Sequence, residues 1–196
     1  MGRPELPYPH PNDQASALLQ GTGGVSMFAL LICLSAGIRP IITSSSDDKL
    51  AKIRSLESRV AGINYKRQSI LEEVQRLTDS RGVDFVINNT GPASIPEDLN
   101  CLRQKNGTVS MVGFLDGFGA EWAGSTVMKV LLKRARIQGY GIGSKADLES
   151  LVQFLDEKKV RLDTIIDRVF PFAETMVAFE YMASGSHTGK VVIRIG

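Results

Sequence analysis

Residues 17–26 read Ala-Leu-Leu-Gln-Gly-Thr-Gly-Gly-Val-Ser, an apolar strand that runs into a glycine turn and then a helix. This is how a chain builds a cradle for the pyrophosphate of a dinucleotide. Gly21-Thr22-Gly23-Gly24-Val25-Ser26 follows the pattern G-x-G-x-x-G, with Ser26 in the last place. The first glycine permits the tight turn, the second lets backbone approach a phosphate, and the third lets helix and strand pack closely. Serine is small enough for that last demand. The helix that follows offers N–H groups and the positive end of its dipole to an anion. Gly21, Thr22, Gly23, Gly24 and Val25 are therefore candidate cofactor-binding residues; the plainer alternative is an ordinary strand–helix turn. No Gly-Lys-Ser/Thr follows, which excludes a mononucleotide phosphate loop.

From Ala15 onward, β-type runs alternate with helical stretches, the pattern of a parallel sheet with helices on both faces. Strands are expected at 17–20, 40–43, 59–63, 83–88, 108–113 and 136–141, and helices at 25–36, 47–58, 69–78, 93–103, 125–133 and 145–157. The first helix is apolar nearly all round, as suits one packed between a sheet and its neighbours. The second puts Leu50, Ile53 and Leu56 on one face, with Ser46 as N-cap and acids in its first turn. A different tail follows: a strand at 165–170, a helix at 173–183 and an alternating strand at 190–195. The expected fold is α/β, a doubly wound parallel sheet of the Rossmann kind with a C-terminal strand–helix–strand tail. Ligands of such sheets bind at the C-terminal ends of the strands. Residues 1–14 hold four of the eight prolines and read as an extended or disordered arm, which leaves 15–196 as one domain.

The second strand ends in Thr43-Ser44-Ser45-Ser46-Asp47-Asp48-Lys49. About 20 residues past the glycines, an NAD enzyme places Asp or Glu on the ribose hydroxyls. Here the strand tip carries serines, with Lys49 just beyond. Hydroxyls and a cation suit a 2′-phosphate, whereas a carboxylate repels it, and Asp47 and Asp48 fit better as first-turn helix residues. Ser44, Ser45 and Lys49 are thus candidate NADPH-binding residues. NADH is the less favoured cofactor, and a solvated helix residue is the plainer reading of Lys49.

Composition narrows the remaining classes. The 196-residue chain is 43% hydrophobic, enough for a substantial single core. Its 23 basic against 21 acidic residues, net +2, give no general electrostatic reason to bind nucleic acid or a membrane surface. The longest apolar run, 27–34, falls well short of the ~18 residues that a spanning helix needs. The N-terminal residues lack the apolar core of a secretion signal, so a cytoplasmic protein is expected. Cys33 and Cys101 read as buried inert thiols. With His10 and His187 the only histidines, and no Cys-x-x-Cys or His-x-x-x-His spacing, no zinc or other metal site is expected.

An ordered series of stretches resembles the cofactor-binding half of medium-chain dehydrogenases/reductases, the superfamily of zinc-type alcohol dehydrogenases and quinone oxidoreductases. They are Gln-Gly-Thr-Gly-Gly-Val-Ser (20–26), Thr-Ser-Ser-Ser-Asp-Asp-Lys-Leu (43–50), Ile-Asn-Tyr-Lys (63–66), Arg-Gly-Val-Asp-Phe-Val (81–86), Gly-Thr-Val-Ser-Met-Val-Gly (107–113) and Gly-Lys-Val-Val-Ile-Arg-Ile (189–195). The resemblance covers about residues 15–196. It implies that Tyr65 lies near the adenosine phosphate, with Lys66 adding charge. It also implies that the cofactor runs past loops 88–91 and 113–115, which brings Asn88, Gly113 and Phe114 into the cofactor set. Asn88-Asn89-Thr90 departs from the acidic or small residues usual there. Full-length relatives carry an N-terminal barrel-like domain that supplies zinc ligands or the substrate pocket, and residues 1–14 do not replace it. The expectation is thus a truncated chain whose tail strands pair with each other, with the arm or with a second chain, and an edge strand with Val191 and Ile193 exposed would be an association site. Members of the superfamily often dimerise by joining sheets edge to edge at the sixth strand, here near 137–142. A homodimer is therefore expected.

Hydride transfer needs a substrate carbonyl or activated alkene within about 3–3.5 Å of the nicotinamide, and something to stabilise developing oxyanion charge. Tyr140 is a candidate general acid, and a dimer-edge aromatic is its plainer reading. Asn88 is a candidate polar contact. His187 belongs to the residue type that changes charge near neutrality, and a surface-turn histidine is its alternative. Phe118 and Trp122 are candidates for an apolar pocket wall. The leading expectation is a zinc-independent, NADPH-dependent oxidoreductase acting on a small-molecule carbonyl or enone. Two alternatives stay open: a non-redox isomerase, lyase or cyclase using Asp116, Glu121, Tyr140 or His187 as acid–base groups, and a cofactor-binding protein without its own catalysis.

Overall fold

The computed structural model describes residues 14–196, so all of the expected arm but Gln14 lies outside the described residues. Six strands, β1 (Ser16–Leu19), β2 (Arg39–Ser44), β3 (Ala61–Asn64), β4 (Phe85–Asn88), β5 (Thr108–Met111) and β6 (Arg136–Gly139), form one parallel sheet in the order β3-β2-β1-β4-β5-β6. The chain winds outward from β1 in one direction and from β4 in the other. The crevice of such a sheet opens where the direction changes, at the C-terminal ends of β1 and β4. The glycine turn follows β1.

Side-chain alternation along the strands explains the layers. On one face, Leu18, Ile41, Ile63, Val86 and Val109 pack with Val74 of α3 (Ile70–Leu77) and with Ile95 and Leu99 of α4 (Ile95–Cys101). On the other, Ala17, Leu19 and Ile42 pack with Met27, Leu30 and Cys33 of α1 (Gly24–Ser35) and with Leu50 and Ile53 of α2 (Asp47–Leu56). A central strand buried on both sides must be apolar throughout, which is why residues 17–19 lack a polar alternation. Helices α5 (Gly124–Leu132) and α6 (Lys145–Glu157) flank and follow β6. Ser46 caps α2 and Ser69 caps α3, their hydroxyls accepting from the N–H groups of Lys49 and Glu72.

Several expected boundaries move. The third strand starts at Ala61 rather than 59 because a turn holds 57–60: the Arg59 N–H and guanidinium donate to the Glu57 carboxylate, and the Val60 N–H donates to the Glu57 carbonyl. The fourth starts at Phe85 because Val83 makes only an isolated bridge to Leu102. The fifth stops at Met111 and the sixth at Gly139, where their pairing ends. Helix 93–103 is shorter than expected. A 3-10 turn at Pro92–Ser94 precedes α4, and the chain turns extended at Leu102 to meet Val83.

The tail comprises β7 (Ile166–Pro171), α7 (Thr175–Ala183) and β8 (Lys190–Arg194). Of the partners open to its strands, they take each other, as a separate two-stranded parallel sheet. Val191 and Ile193 are half-buried rather than exposed. The tail is docked on the main domain through several contacts. Ile165 enters the core beside α1. Asp167 pairs with Lys52 of α2 at 2.5 Å and accepts from the Tyr181 hydroxyl at 2.7 Å. Gly189 bridges to Gly23, its N–H donating to the Thr22 carbonyl at 2.9 Å.

Candidate cofactor site

Gly21 leaves β1 with φ +78°, a conformation that glycine adopts without a Cβ penalty, and its N–H donates to Thr43 Oγ1 at 3.0 Å. Gly23 is the N-cap of α1, with extended backbone and no side chain to cap the helix. The first-turn N–H groups are therefore left for solvent or a ligand. A Cβ built on Gly23 would meet no atom within 4 Å, so packing within the protein does not demand that glycine. Ser26, in the last place of the motif, is buried. Its hydroxyl donates to the Gln20 carbonyl at 2.6 Å and accepts from Asn89 Nδ2 at 2.7 Å, which pins helix, strand and the loop after β4 together.

Two clefts flank this turn. One, of about 800 Å³, is lined by residues 20–26 together with Lys49, Asn89, Gly113, Phe114 and His187. The other, of about 690 Å³, is lined by Gly21, Thr43, Tyr65, Thr90, Asp98 and Asp116 among others. The structure thus gathers Gly21, Thr22, Gly23, Gly24, Val25, Lys49, Gly113, Phe114 and His187 around one opening and sets Tyr65 at its neighbour. Ser45 is exposed at the tip of β2, whereas Ser44 is buried with its Oγ accepting from the Ser46 N–H. Asp47 is taken up by Arg67 at 2.6 Å and by Asn64 Nδ2 at 2.7 Å, which accords with a first-turn role.

Lys49 has a second employment that local sequence does not reveal. Its Nζ donates to the carbonyls of Gly185 at 2.5 Å and His187 at 2.8 Å, so it ties the tail loop to α2. Burial lowers its pKa below the ordinary lysine value, with Asp167 opposing and Lys52 adding to the shift. A second lysine comes to the turn from β8. The Lys190 side chain crosses the start of α1, where its Nζ lies 2.7 Å from the place a Gly24 Cβ would occupy. Its signal lay in the quoted stretch 189–195.

Asn88 and Tyr140 sit apart from the open cleft. Asn88 is 0% exposed. Its amide donates to Asp98 Oδ2 at 2.6 Å, Ser94 Oγ at 2.8 Å and the Gly91 carbonyl at 3.1 Å. Tyr140 follows the last residue of β6, at the sheet edge, and lines neither cleft. Beneath the crevice lies a network that sequence reading missed. Asp98, 2% exposed, accepts from Gln20 Nε2 at 2.7 Å as well as from Asn88 and Ser94, while Gln20 Oε1 accepts from the Asn89 N–H and from the Thr90 N–H and hydroxyl. Burial pushes the Asp98 carboxyl up to about 6. The hydrogen bonds from Asn88, Ser94 and Gln20 oppose that rise, and Glu97 reinforces it.

A profile of the family described as zinc-binding dehydrogenase matches residues 24–157. The zinc-type alcohol dehydrogenase-like protein of Schizosaccharomyces pombe (strain 972) is 35% identical, over 92% of this chain and 51% of its own length. A provisionally assigned alcohol dehydrogenase from Sinorhizobium meliloti 1021 superposes with a TM-score of 0.82 at 33% identity, over 93% of this chain and 51% of that one. The quinone oxidoreductase of Thermus thermophilus, solved also in complex with NADPH, superposes with a TM-score of 0.75 over 93% of this chain and 58% of its own. At 23% identity that likeness concerns the fold. The chain spans about half the length of the relatives it matches.

Zinc, which the family description implies, does not fit the residues at hand. Among the described residues no group of three or more His, Cys, Asp or Glu is placed to hold a metal ion. Burial pushes the Cys33 thiol up to about 11 and that of Cys101 up to about 12, the wrong direction for thiolate ligands. A dinucleotide does fit: the uncapped start of α1, the space over Gly23 and two lysines form a cradle for its phosphates.

Proposed function

Because this chain belongs to the zinc-binding dehydrogenase family, we propose that it binds NADPH over the glycine turn and serves hydride transfer to a small-molecule carbonyl or enone, without a zinc-ligand set among the described residues. The observation that carries this reading is the open space at Gly23, in front of an uncapped helix start. The Gly21 turn brings that backbone to the crevice, and the α1 N–H groups face the pyrophosphate. Bound there, the cofactor supplies the hydride. NADPH is preferred to NADH because the tip of β2 presents the Ser45 hydroxyl with Lys49 close by, while the exposed Asp48 belongs to the first turn of α2. Lys49, with two of its three protons on carbonyls, keeps one for a 2′-phosphate, and Arg67 neutralises Asp47.

Gly113 and Phe114 form the wall beyond Asn89. Phe114 stacks on Phe118 at 4.4 Å, and the Trp122 indole N–H donates to the Pro92 carbonyl at 2.9 Å, so the loop after β5 offers an apolar surface beside the cleft. His187 lines the same cleft, and its Nδ1 is buried without a hydrogen-bond partner among the described residues. It is the proposed acid–base residue, while Asn88 takes a positioning role and Tyr140 a place at a homodimer edge along β6. One second reading is favoured by the exposure of Leu115 and Phe118 in the loop after β5: a cofactor-binding protein that turns over only with a partner that covers them.

Calorimetric titration with NADPH and NADH, followed by a screen of carbonyls and enones, tests these readings. Binding of NADPH in preference to NADH, with oxidation on some substrate, is the expected result. Binding without turnover until a partner is added favours the second reading. Turnover that needs no nucleotide overturns both.

A further inference from the structure

We propose that Asp98 is the positioning residue of the dinucleotide crevice: as a carboxylate it fixes the amides of Gln20 and Asn88, and through them the loop 88–91, in the arrangement that accepts the cofactor. This role rests on the dinucleotide reading and adds a regulation of that site.

An ionised carboxylate only accepts. Asp98 Oδ1 receives Gln20 Nε2 at 2.7 Å and Oδ2 receives Asn88 Nδ2 at 2.6 Å, so the amide of each side chain has its NH₂ group turned to Asp98 and its oxygen turned away. Gln20 Oε1 is thereby aimed at the loop after β4, where it accepts from the Asn89 N–H at 3.0 Å and from the Thr90 N–H and hydroxyl at 3.3 and 2.9 Å. Asn88 Oδ1 accepts from the Gly91 N–H at 2.9 Å. One buried carboxylate thus sets two amides, and the two amides hold three consecutive backbone N–H groups of the loop. Gln20 is also the residue from which the glycine turn starts, so the same carboxylate ties both rims of the crevice.

A proton on Asp98 turns one acceptor into a donor that faces two amide NH₂ groups and the Ser94 hydroxyl. On Oδ2 the hydroxyl can take it by rotating; on Oδ1 it meets the Gln20 NH₂, and the answering amide flip points that NH₂ at the N–H groups of Asn89 and Thr90 and releases them. Few other charges face the site. On α4 itself Glu97 adjoins it and Cys101 lies one turn on. From α5, Lys129 and Lys133 bind the Asn100 side chain and the carbonyls at the end of α4. From α3, Glu73 and Arg76 pair with each other on an exposed surface. Tyr65 and Asp116 line the cleft. β1, β4 and β5 contribute none. The carboxyl pKa of about 6 puts the change of state within reach of mild acid. His187 lines the neighbouring cleft.

The test titrates the whole chain with NADP⁺ between pH 8 and pH 5, beside Asp98→Asn, so that titration of the ligand's own phosphate is common to both. The expected result is that the wild-type advantage in affinity over the variant collapses by about tenfold from pH 7.5 to pH 5, as the competent fraction falls. A ratio that does not change with pH overturns the proposal while leaving cofactor binding intact. No binding at any pH overturns the dinucleotide reading and the proposal with it. Should Asp98→Asn fail to fold, the wild-type side-chain amide signals of Gln20 and Asn88 are followed by NMR without ligand. A shift with midpoint near pH 6 supports the proposal, and signals that stay fixed overturn it.

Discussion

At the residue scale, Gly23 separates what the fold needs from what a ligand needs. Its backbone is extended and the place of its Cβ is empty, so Gly23→Ala should leave the melting temperature within about 2 °C of wild type, the effect of a few tenths of a kcal/mol. The methyl group would stand where a phosphate must approach. NADPH affinity is expected to fall by at least about tenfold, roughly 1.4 kcal/mol. Calorimetry and a thermal melt on one sample check both halves, and unchanged affinity would remove the turn from the binding site. Lys49 makes a second case. Lys49→Gln keeps a donor for the carbonyls of Gly185 and His187 but deletes the charge, so NADPH affinity should drop about tenfold and NADH affinity about twofold or less. Equal losses for both nucleotides would show that Lys49 does not read the 2′-phosphate. Sequence pointed to both residues because each sits in a local pattern. It did not reveal the second task of Lys49, since those carbonyl partners lie 136 and 138 positions further on. Nor did it reveal Asp98, which meets Gln20 across 78 positions.

Elements were legible where their causes are local. The serine cap of α2, the both-sided burial of β1 and the glycine turn are written within a few residues of themselves, whereas Ser69, expected inside its helix, caps α3 instead. Boundaries failed where a distant partner decides them, as when Val83 leaves the strand to meet Leu102. The start of β1 and of β4 is held by such a distant contact. Asp84 accepts from Arg81 at 2.9 Å, from Arg103 at 2.5 Å and from the Ser16 N–H at 2.9 Å. Burial alone would raise the Asp84 carboxyl, but hydrogen bonds from Arg81, Ser16 and Arg103 outweigh it and hold the pKa below the usual carboxylate value. A depressed folded-state pKa contributes stability that is present above the unfolded value, ~3.9, and lost as pH falls through the folded one. Asp84→Asn should therefore cost about 2 to 3 kcal/mol at pH 7, because it leaves two half-buried arginines without their anion. The difference from wild type should shrink as pH drops below about 4. Urea unfolding of both proteins across that range checks it, and a constant difference would assign the loss to packing instead.

For the whole molecule, the strand order leaves two edges, β3 and β6, and they are not equivalent. Beyond β6 the chain exposes Tyr140 and, at 99%, Ile142, and α5 beside it exposes Val127, Met128, Leu131 and Leu132. An unpaired strand edge flanked by bare apolar side chains is an association surface unless something covers it. A second copy joined along β6 would pair both edges by the same contacts, the closed arrangement that a two-fold axis permits. Light scattering is expected to give twice the chain mass of 21.3 kDa. Ile142→Asp should shift that mass to a single chain, because a side chain already in solvent can be charged without cost to the fold but not buried as a charge in an interface. NADPH affinity of the resulting monomer should stay within about threefold of the dimer, since the glycine turn and Lys49 lie in one chain. A wild-type monomer, or a dimer that Ile142→Asp leaves whole, would move the interface elsewhere, and the exposed α5 face would then be the next surface to charge.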